Sequence, residues 1–437
     1  MNTTPQDWFN HIAQNLTSNA LIQYVLTPDN KIDFQILSKS VLLSIQAEPI
    51  LGCLFTEKEK MPLWEPASIN ADNVCCHVKT QNIEEEITTV LASEINASNQ
   101  LPIKVCLLDD DRSNIIVIKI SHSVCDGSGS KYFIKLLANI YTQLEGNDSF
   151  VPQMNTSERD TKNLYKALEV EDITSYFNPG KAELKSTWGF PANEDMPKKQ
   201  TFSYRQLRYK GNDFQQIKQY AKKQNVTLNS LFMAAYFHAL VKVLKPEEDT
   251  KELQFMIDLR KYLPSNVTQN ICNFSAILNI ELSARTNNFT ELAKQTDTAV
   301  KNTLATDNFI HGTIAGDLAE ESGYYAIKNF IRSDWENIRK TGNCTPMISN
   351  LGIFDSETIL FGKAKINDIC LISPAFFGPA FMIGIMTYNN ILTINASYYN
   401  PGINNNDVKN LLTQIDSVLK GNYYEYAKLQ MPDSAKQ

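Results

Sequence analysis

The chain is poor in histidine, with five in 437 residues, and His11, His77, His122, His238 and His311 never fall at HExxH or HxxxH spacing. That removes the commonest zinc-binding arrangements. Eight cysteines are present but no CxxC, and Cys75-Cys76-His77 has no second group to complete four ligands. No metal site is expected, and the thiols read as reduced and mostly buried. GxxxxGK[ST] and GxSxG are both missing, which excludes a P-loop nucleotide site and a serine-hydrolase elbow. Positive charge is in deficit, with 41 Lys and Arg against 48 Asp and Glu and a formal net charge of −7. Such a balance argues against nucleic acid or an anionic membrane as the main partner. The opening MNTTPQDWFNHIAQN lacks a basic start and a continuous apolar segment. No secretory signal is expected, and the expected compartment is the cytoplasm.

One run is long enough to suggest a membrane span: ICLISPAFFGPAFMIGIMTY at 369–388, without a charge over twenty positions. Pro374, Gly378, Pro379 and Gly384 interrupt it, and Asn389-Asn390 leads into the alternating ILTINASYY. A buried strand, a Pro/Gly turn and a hairpin fit this pattern better. No membrane span is expected.

What is present is the composition of a soluble globular protein, 43% hydrophobic and 20% charged. The length exceeds one ordinary core, so two or at most three domains are expected. DFQILSKSVLLS (33–44) has helical spacing, with Phe34, Leu37, Val41 and Leu42 on one face, and EEEITTVLASEI (84–95) reads as a second amphipathic helix. EPILGCLF (48–55) is a strand candidate. KVCLL (104–108) and IIVIKIS (115–121) flank the polar DDDRSN and predict an antiparallel hairpin. After a Gly/Ser loop, KYFIKLLANIYTQL (131–144) carries a helical apolar stripe. Residues 146–200 are polar and irregular, as a crossover or linker would be, and a second block follows from TFSYRQLRYK through the helix at 228–244 to the end. The fold class is α/β, in two halves of 1–185 and 186–437.

The hairpin ends at Ser121-His122, and Asp126-Gly127 follows in IIVIKISHSVCDGSGS (115–130). Gly127-Ser-Gly129-Ser-Lys-Tyr132 lies between a strand and a helix, as a dinucleotide fingerprint does. Tyr132 stands where the third glycine belongs, and the strand before it belongs to a hairpin. A metal half-site of His122 and Asp126 lacks further ligands. The third functional reading is general-base catalysis: neutral imidazole is available near neutral pH, a buried strand fixes it, and Gly127 lets a substrate approach. Against all three stands the plain structural reading, in which His122 ends a strand and Asp-Gly turns the chain.

His122-Ser-Val-Cys-Asp126-Gly127 resembles the HxxxDG motif of the chloramphenicol acetyltransferase-like superfamily. That group includes plant BAHD acyltransferases, condensation domains of peptide synthetases and microbial alcohol acyltransferases. Other segments agree in order. DFQILSKSVLLSIQAEPILGCLF resembles the opening helix and strand, VTLNSLFMAAYFHAL the helix opening the second half, FMIDLRKYLP the strand ending in D-L-R, and MISNLGIFD (347–355) the S-N-L-G segment. The plant DFGWG sequence is absent, and SPAFFGPAF (373–381) occupies the comparable region. The chain therefore looks nearer to the microbial acyltransferases and condensation domains, and the donor's carrier stays open between CoA and a carrier protein.

The resemblance implies two related α/β sandwich halves with a channel between them and His122 midway along it. It implies acyl transfer from a thioester to a hydroxyl or amine, with His122 as general base and no permanently bound cofactor. The cosubstrate would be an acyl-CoA or an acyl carrier protein thioester, and the protein would be a monomer. Asp126 would pair with Arg260, bracing the loop rather than orienting the imidazole, although a turn-forming Asp126 and a surface Arg260 are the plain alternatives. Ser349 and Asn350 could donate to an oxyanion, or form a polar turn before Leu351-Gly352. His238, on an apolar helix, reads as a core residue, and Cys125 as packing rather than an acyl carrier. The opposing reading is a catalytically inactive binding or adaptor module of the same fold.

Overall fold

The computed structural model describes the chain except for residues 15, 177–187, 191–199, 266–269, 356 and 431–437. Part of the polar segment read as a linker therefore lies outside the described residues. In chain order the described strands are β1 (Leu21–Pro28), β2 (Cys53–Thr56), β3 (Leu63–Pro66), β4 (Cys75–Lys79), β5 (Ile103–Asp109), β6 (Asn114–Ser121), β7 (Thr201–Tyr209), β8 (Thr250–Asp258), β9 (Ser275–Ser283), β10 (Met347–Ile353), β11 (Leu360–Phe361), β12 (Ala364–Ile372), β13 (Met382–Tyr388) and β14 (Ile391–Asn400). Two six-stranded sheets organise two halves, in the orders β11-β12-β1-β6-β5-β4 and β7-β14-β13-β10-β8-β9, and β2 pairs with β3 in a small ribbon. β12 pairs antiparallel with β1. A cut at 185/186 would thus leave two strands of the first sheet on the far side.

The strand before His122 is central and covered on both faces. β5 and β6 pair antiparallel around the DDDRSN turn. All eight residues of β6 are buried, which explains its nearly unbroken apolar run. Ile116, Ile118 and Ile120 join one core with Leu37, Val41, Phe133 and Leu137, while Ile115 and Val117 join another with Leu91, Phe202 and Tyr399. The one charged residue of the strand is Lys119, wholly buried, whose ammonium donates to Val90 O at 2.7 Å and Ser93 Oγ at 2.6 Å, at the C-terminus of the helix Ile83–Ala92. In the second half the helix Leu228–Leu244 buries an unbroken stretch from Ser230 to Phe237, as a helix apolar on most sides must.

The uncharged run at 369–388 becomes the end of β12, a Pro/Gly turn and β13. β13 then pairs with β14 around Asn389 and Asn390, at φ 48° and 58°. Tight hairpin turns of this kind need positive φ at both central residues, and asparagine tolerates it. Among the described residues no single helix is long and apolar enough to cross a membrane.

Three expectations are corrected. EPILGCLF is not one strand: Pro49–Gly52 is a 3-10 turn, and only Cys53–Thr56 is extended. Pro49 has no N–H for a ladder. The supposed Gly/Ser loop is the first turn of the helix Gly127–Gly146, because Asp126 caps it by accepting from Gly129 N at 2.9 Å. The thiols are not all free, since Cys76 and Cys106, directly opposite one another in the parallel β4–β5 pair, form a disulfide. The remaining six cysteines are free and four of them are buried.

Candidate active site

His122 follows β6 directly, and its backbone N–H donates to Ala20 O at 2.7 Å beside β1. The side chain is partly exposed, with Nδ1 3.2 Å from Asn273 Oδ1. Burial lowers its pKa, outweighing a contact with its own backbone, the charge of Asp126 and the Asn273 contact, all of which favour the imidazolium. The imidazole is accordingly neutral at physiological pH.

Asp126 is 3% exposed, and its carboxylate is taken up by groups other than that imidazole. Its Oδ2 accepts from Arg260 Nη1 at 2.8 Å and from Phe274 N at 2.7 Å, and its Oδ1 caps the helix at Gly129. Burial alone would raise the carboxyl pKa, but the Arg260 charge and these N–H donors hold it below the ordinary carboxylate range. Arg260 sits in the short 3-10 turn Leu259–Tyr262 after β8 and also binds Cys272 O at 2.9 Å and Asp258 Oδ1 at 3.1 Å. Asp258 in turn accepts from Ser128 Oγ at 2.6 Å. The structure therefore joins the D-L-R turn of the second half to the HxxxDG turn of the first.

The same turn is packed without room to spare. A Cβ on Gly129 would lie 2.8 Å from Cys125 Cβ and 3.1 Å from Cys272 O. A Cβ on Gly127 would lie 2.9 Å from Leu351 Cγ, which brings the S-N-L-G strand β10 against the motif. Lys131 Nζ donates to Leu351 O at 2.8 Å and fixes that approach. Ser349 and Asn350 lie on β10 rather than in a turn, with Ser349 opposite Gly384 of β13. The Asn350 amide donates to Asn229 Oδ1 at 3.0 Å and accepts from Gly352 N at 2.9 Å.

Residues that sequence reasoning missed complete the support. Asn273, just before β9, reaches both the His122 side chain and its carbonyl, the latter at 2.9 Å. Its amide also donates to Asp7 Oδ1 at 3.1 Å. Asp7, in the first helix (Pro5–Ala13), receives Arg159 at 3.0 Å and Trp64 Nε1 at 3.0 Å, and Arg159 also donates to Val124 O at 2.9 Å and Ile271 O at 2.9 Å. An isolated asparagine in the otherwise apolar ICNF was the one available signal.

Cys125 is buried, and burial raises its thiol pKa well above the usual value, so no reactive thiolate stands beside His122. His238 lies edge-on to Phe289, and His77 stacks on Phe34. His11 stacks on Phe55 and borders a cavity of about 270 Å³ with Glu57, Ser98 and Lys328. Among the described residues no group of three or more His, Cys, Asp or Glu could hold a metal ion.

Two sheet-rich α/β halves joined at such a turn define the chloramphenicol acetyltransferase-like fold. A family model for the condensation domain matches residues 2–324, and the chain belongs to that family. No curated protein sequence matches it. Among solved structures it is similar to the first condensation domain of the CDA synthetase, with 14% identity, a TM-score of 0.66 and 95% of each chain covered. It is also similar to the SgcC5 protein of Streptomyces globisporus, with 11% identity, a TM-score of 0.71, and 97% of this chain and 99% of that one covered. The trichothecene 15-O-acetyltransferase TRI3 of Fusarium sporotrichioides matches with 13% identity, a TM-score of 0.69 and coverage of 96% and 94%. At these identities the likeness is one of fold.

Proposed function

We propose that this protein moves an acyl group from a thioester donor to a hydroxyl or amine acceptor, with His122 as general base. The observation that carries this reading is a neutral, partly exposed imidazole at the end of the buried strand β6, on a turn locked from behind by Asp126 and Arg260. An ordinary strand-ending histidine needs no such brace.

The acceptor's oxygen or nitrogen loses its proton to His122 as it attacks the thioester carbonyl, and a C–O or C–N bond forms. The tetrahedral oxyanion then collapses, the C–S bond breaks, and the departing thiolate takes the proton back from the imidazolium. Ser349 and Asn350 are the candidate oxyanion donors. No acyl-enzyme is required, because both substrates meet in a channel between the halves, entering from opposite faces, and alignment supplies much of the rate. The donor is an acyl-CoA or an acyl carrier protein thioester, and the acceptor a small alcohol or amine. The condensation-domain family and an acetyltransferase of the same fold support acyl transfer as the general chemistry.

Incubating the pure protein with a panel of acyl-CoAs, carrier-bound acyl groups, alcohols and amines, with mass spectrometry of products, tests this directly. Ester or amide formation that disappears in His122→Ala is expected. Binding of acyl carriers without any turnover across the panel would favour the adaptor reading instead.

A further inference from the structure

β7 ends the second sheet, and β14 is its one neighbour among the described strands. The pairing runs unbroken from Thr201 opposite Asn400 to Tyr209 opposite Leu392. An antiparallel strand turns only alternate N–H and C=O groups towards a given neighbour, so the rest of β7's point outward. Among the described residues, no backbone group between Phe202 and Leu207 bonds to any segment but β14. Exposed edges are commonly blunted by a proline, a bulge or a covering element. β7 has neither proline nor bulge. Beside it lies an open groove of about 740 Å³, lined by every residue from Phe202 to Leu207.

The two sides of this groove differ in chemistry, because successive side chains of a strand alternate between its faces. Phe202 and Tyr204 face the first half, where they pack with Leu91 and Val117, and Thr88 of the helix Ile83–Ala92 borders the groove there. Ser203, Arg205 and Leu207 take the opposite face, where Leu207 and Leu412 share a core. The far wall on that side is the helix Asn405–Gln430, through Lys409, Leu412 and Thr413. Arg205 and Lys409 are exposed, and neither meets a carboxylate among the described residues. The acidic residue of that wall, Asp416, is already taken by Lys420 at 2.9 Å and the Tyr209 hydroxyl at 2.9 Å. One side therefore carries unmatched positive charge, and the other is aromatic and apolar.

We propose that β7 is a docking edge for an extended acidic segment of another protein, which adds a strand beside Phe202–Leu207 and lies between the helices Ile83–Ala92 and Asn405–Gln430. Open backbone groups supply the pairing, and side chains supply the selection. The incoming strand alternates as β7 does. Its residues on the Arg205 side are therefore Asp or Glu, and those on the Phe202 side are apolar. A second copy of the chain fits worse. TFSYRQLRY holds two arginines and no acidic residue, so pairing with its own copy brings like charges together. No residue of the His122 turn lines the groove, and docking there does not depend on acyl transfer.

The test titrates full-length protein, by calorimetry, with an end-capped peptide of about eight residues alternating Glu and Val. One control peptide has Lys in place of Glu, and a second keeps Glu and Val but is N-methylated at its central residues. The Glu–Val peptide should bind one per chain, and both controls should bind at least about 10-fold more weakly. Arg205→Glu, at an exposed position, should weaken the Glu–Val peptide by a similar factor. Without any variant, hydrogen exchange followed by mass spectrometry should slow across residues 201–209 when that peptide is bound. Equal binding of the N-methylated peptide would show plain charge attraction and overturn the proposal. Unchanged exchange across 201–209 at saturation overturns it as well, as does no binding at all. A dimer of the protein protected at 201–209 would give the edge to a second copy, and binding seen only after removal of residues 431–437 would give it to the chain's own tail; either result overturns the proposal.

Discussion

Arg260 Nη1 lies 2.8 Å from Asp126 Oδ2 across 134 residues of chain, with 14% and 5% of the two side chains exposed. The pair is buried and further tied to Gly129 N, Phe274 N and Cys272 O, so it differs in kind from a surface ion pair. Removing Arg260 leaves the buried Asp126 carboxylate without its counter-ion, which typically costs about 3–5 kcal/mol, whereas removing Asp126 leaves Arg260 its second carboxylate, Asp258 at 3.1 Å. Arg260→Ala is therefore expected to lower stability on that scale and Asp126→Asn by less, and the double variant to cost less than their sum. Denaturant unfolding of the four proteins checks this. Small, strictly additive losses would mean that the contact carries no energy.

The two glycines in the first turn of the helix Gly127–Gly146 should respond unequally to the same change. A methyl at Gly129 meets Cys125 Cβ and the Cys272 carbonyl, both fixed by the backbone, whereas one at Gly127 meets the side chain of Leu351, which can rotate. Gly129→Ala is therefore expected to destabilise by about 1–3 kcal/mol and Gly127→Ala by less. Thermal melts of the two variants would decide it, and equal losses would count against the packing described.

Acid sensitivity should come partly from His11, far from the motif in sequence. Burial against Phe55 lowers its pKa to about 4, against the opposing charge of Glu57. Between pH 6.5 and 4 the unfolded chain binds a proton at this site that the folded protein does not, so stability falls as pH falls through that window. The contribution is up to about 3 kcal/mol. It is absent above pH 6.5. His11→Gln should flatten that part of the stability–pH curve, as read by urea unfolding at several pH values. An unchanged slope would show that His11 titrates normally.

The sequence reveals local features and conceals those that depend on register and distance. DDDRSN marks the β5–β6 hairpin and Asn389-Asn390 the β13–β14 turn, because their turn chemistry is local. The helix at 228–244 is readable to the residue, since Thr227 caps it and Lys245 ends it. That β12 joins the sheet of β1 is not readable, because alternation identifies a strand but not its neighbour. The Cys76–Cys106 bond depends on a parallel register, and Gly127 begins a helix only because Asp126 and Gly129 meet in a tight turn. Asn273 lies 151 residues from His122, and nothing near it in the chain marks its partner.

His122 carries the last prediction. If it is the base, His122→Ala should lower kcat by about 10²–10⁴-fold while the protein stays folded and still binds its thioester. The wild-type rate should fall on acidification, because the imidazolium has no lone pair with which to accept the acceptor's proton. Burial shifts its pKa below the ordinary 6.5, so the rate should hold through that value and fall only at lower pH. The same downward shift makes the fold itself less stable as pH drops below 6.5, since the unfolded chain then binds the proton more readily. Rates must therefore be paired with circular dichroism at each pH, and only the loss that precedes unfolding reports the base. A purely structural histidine would give the reverse pattern, with lower stability in the variant and near-wild-type turnover by whatever remains folded. Folding alone should survive the substitution, because β6 and the capped helix Gly127–Gly146 hold the turn from both sides independently of the ring.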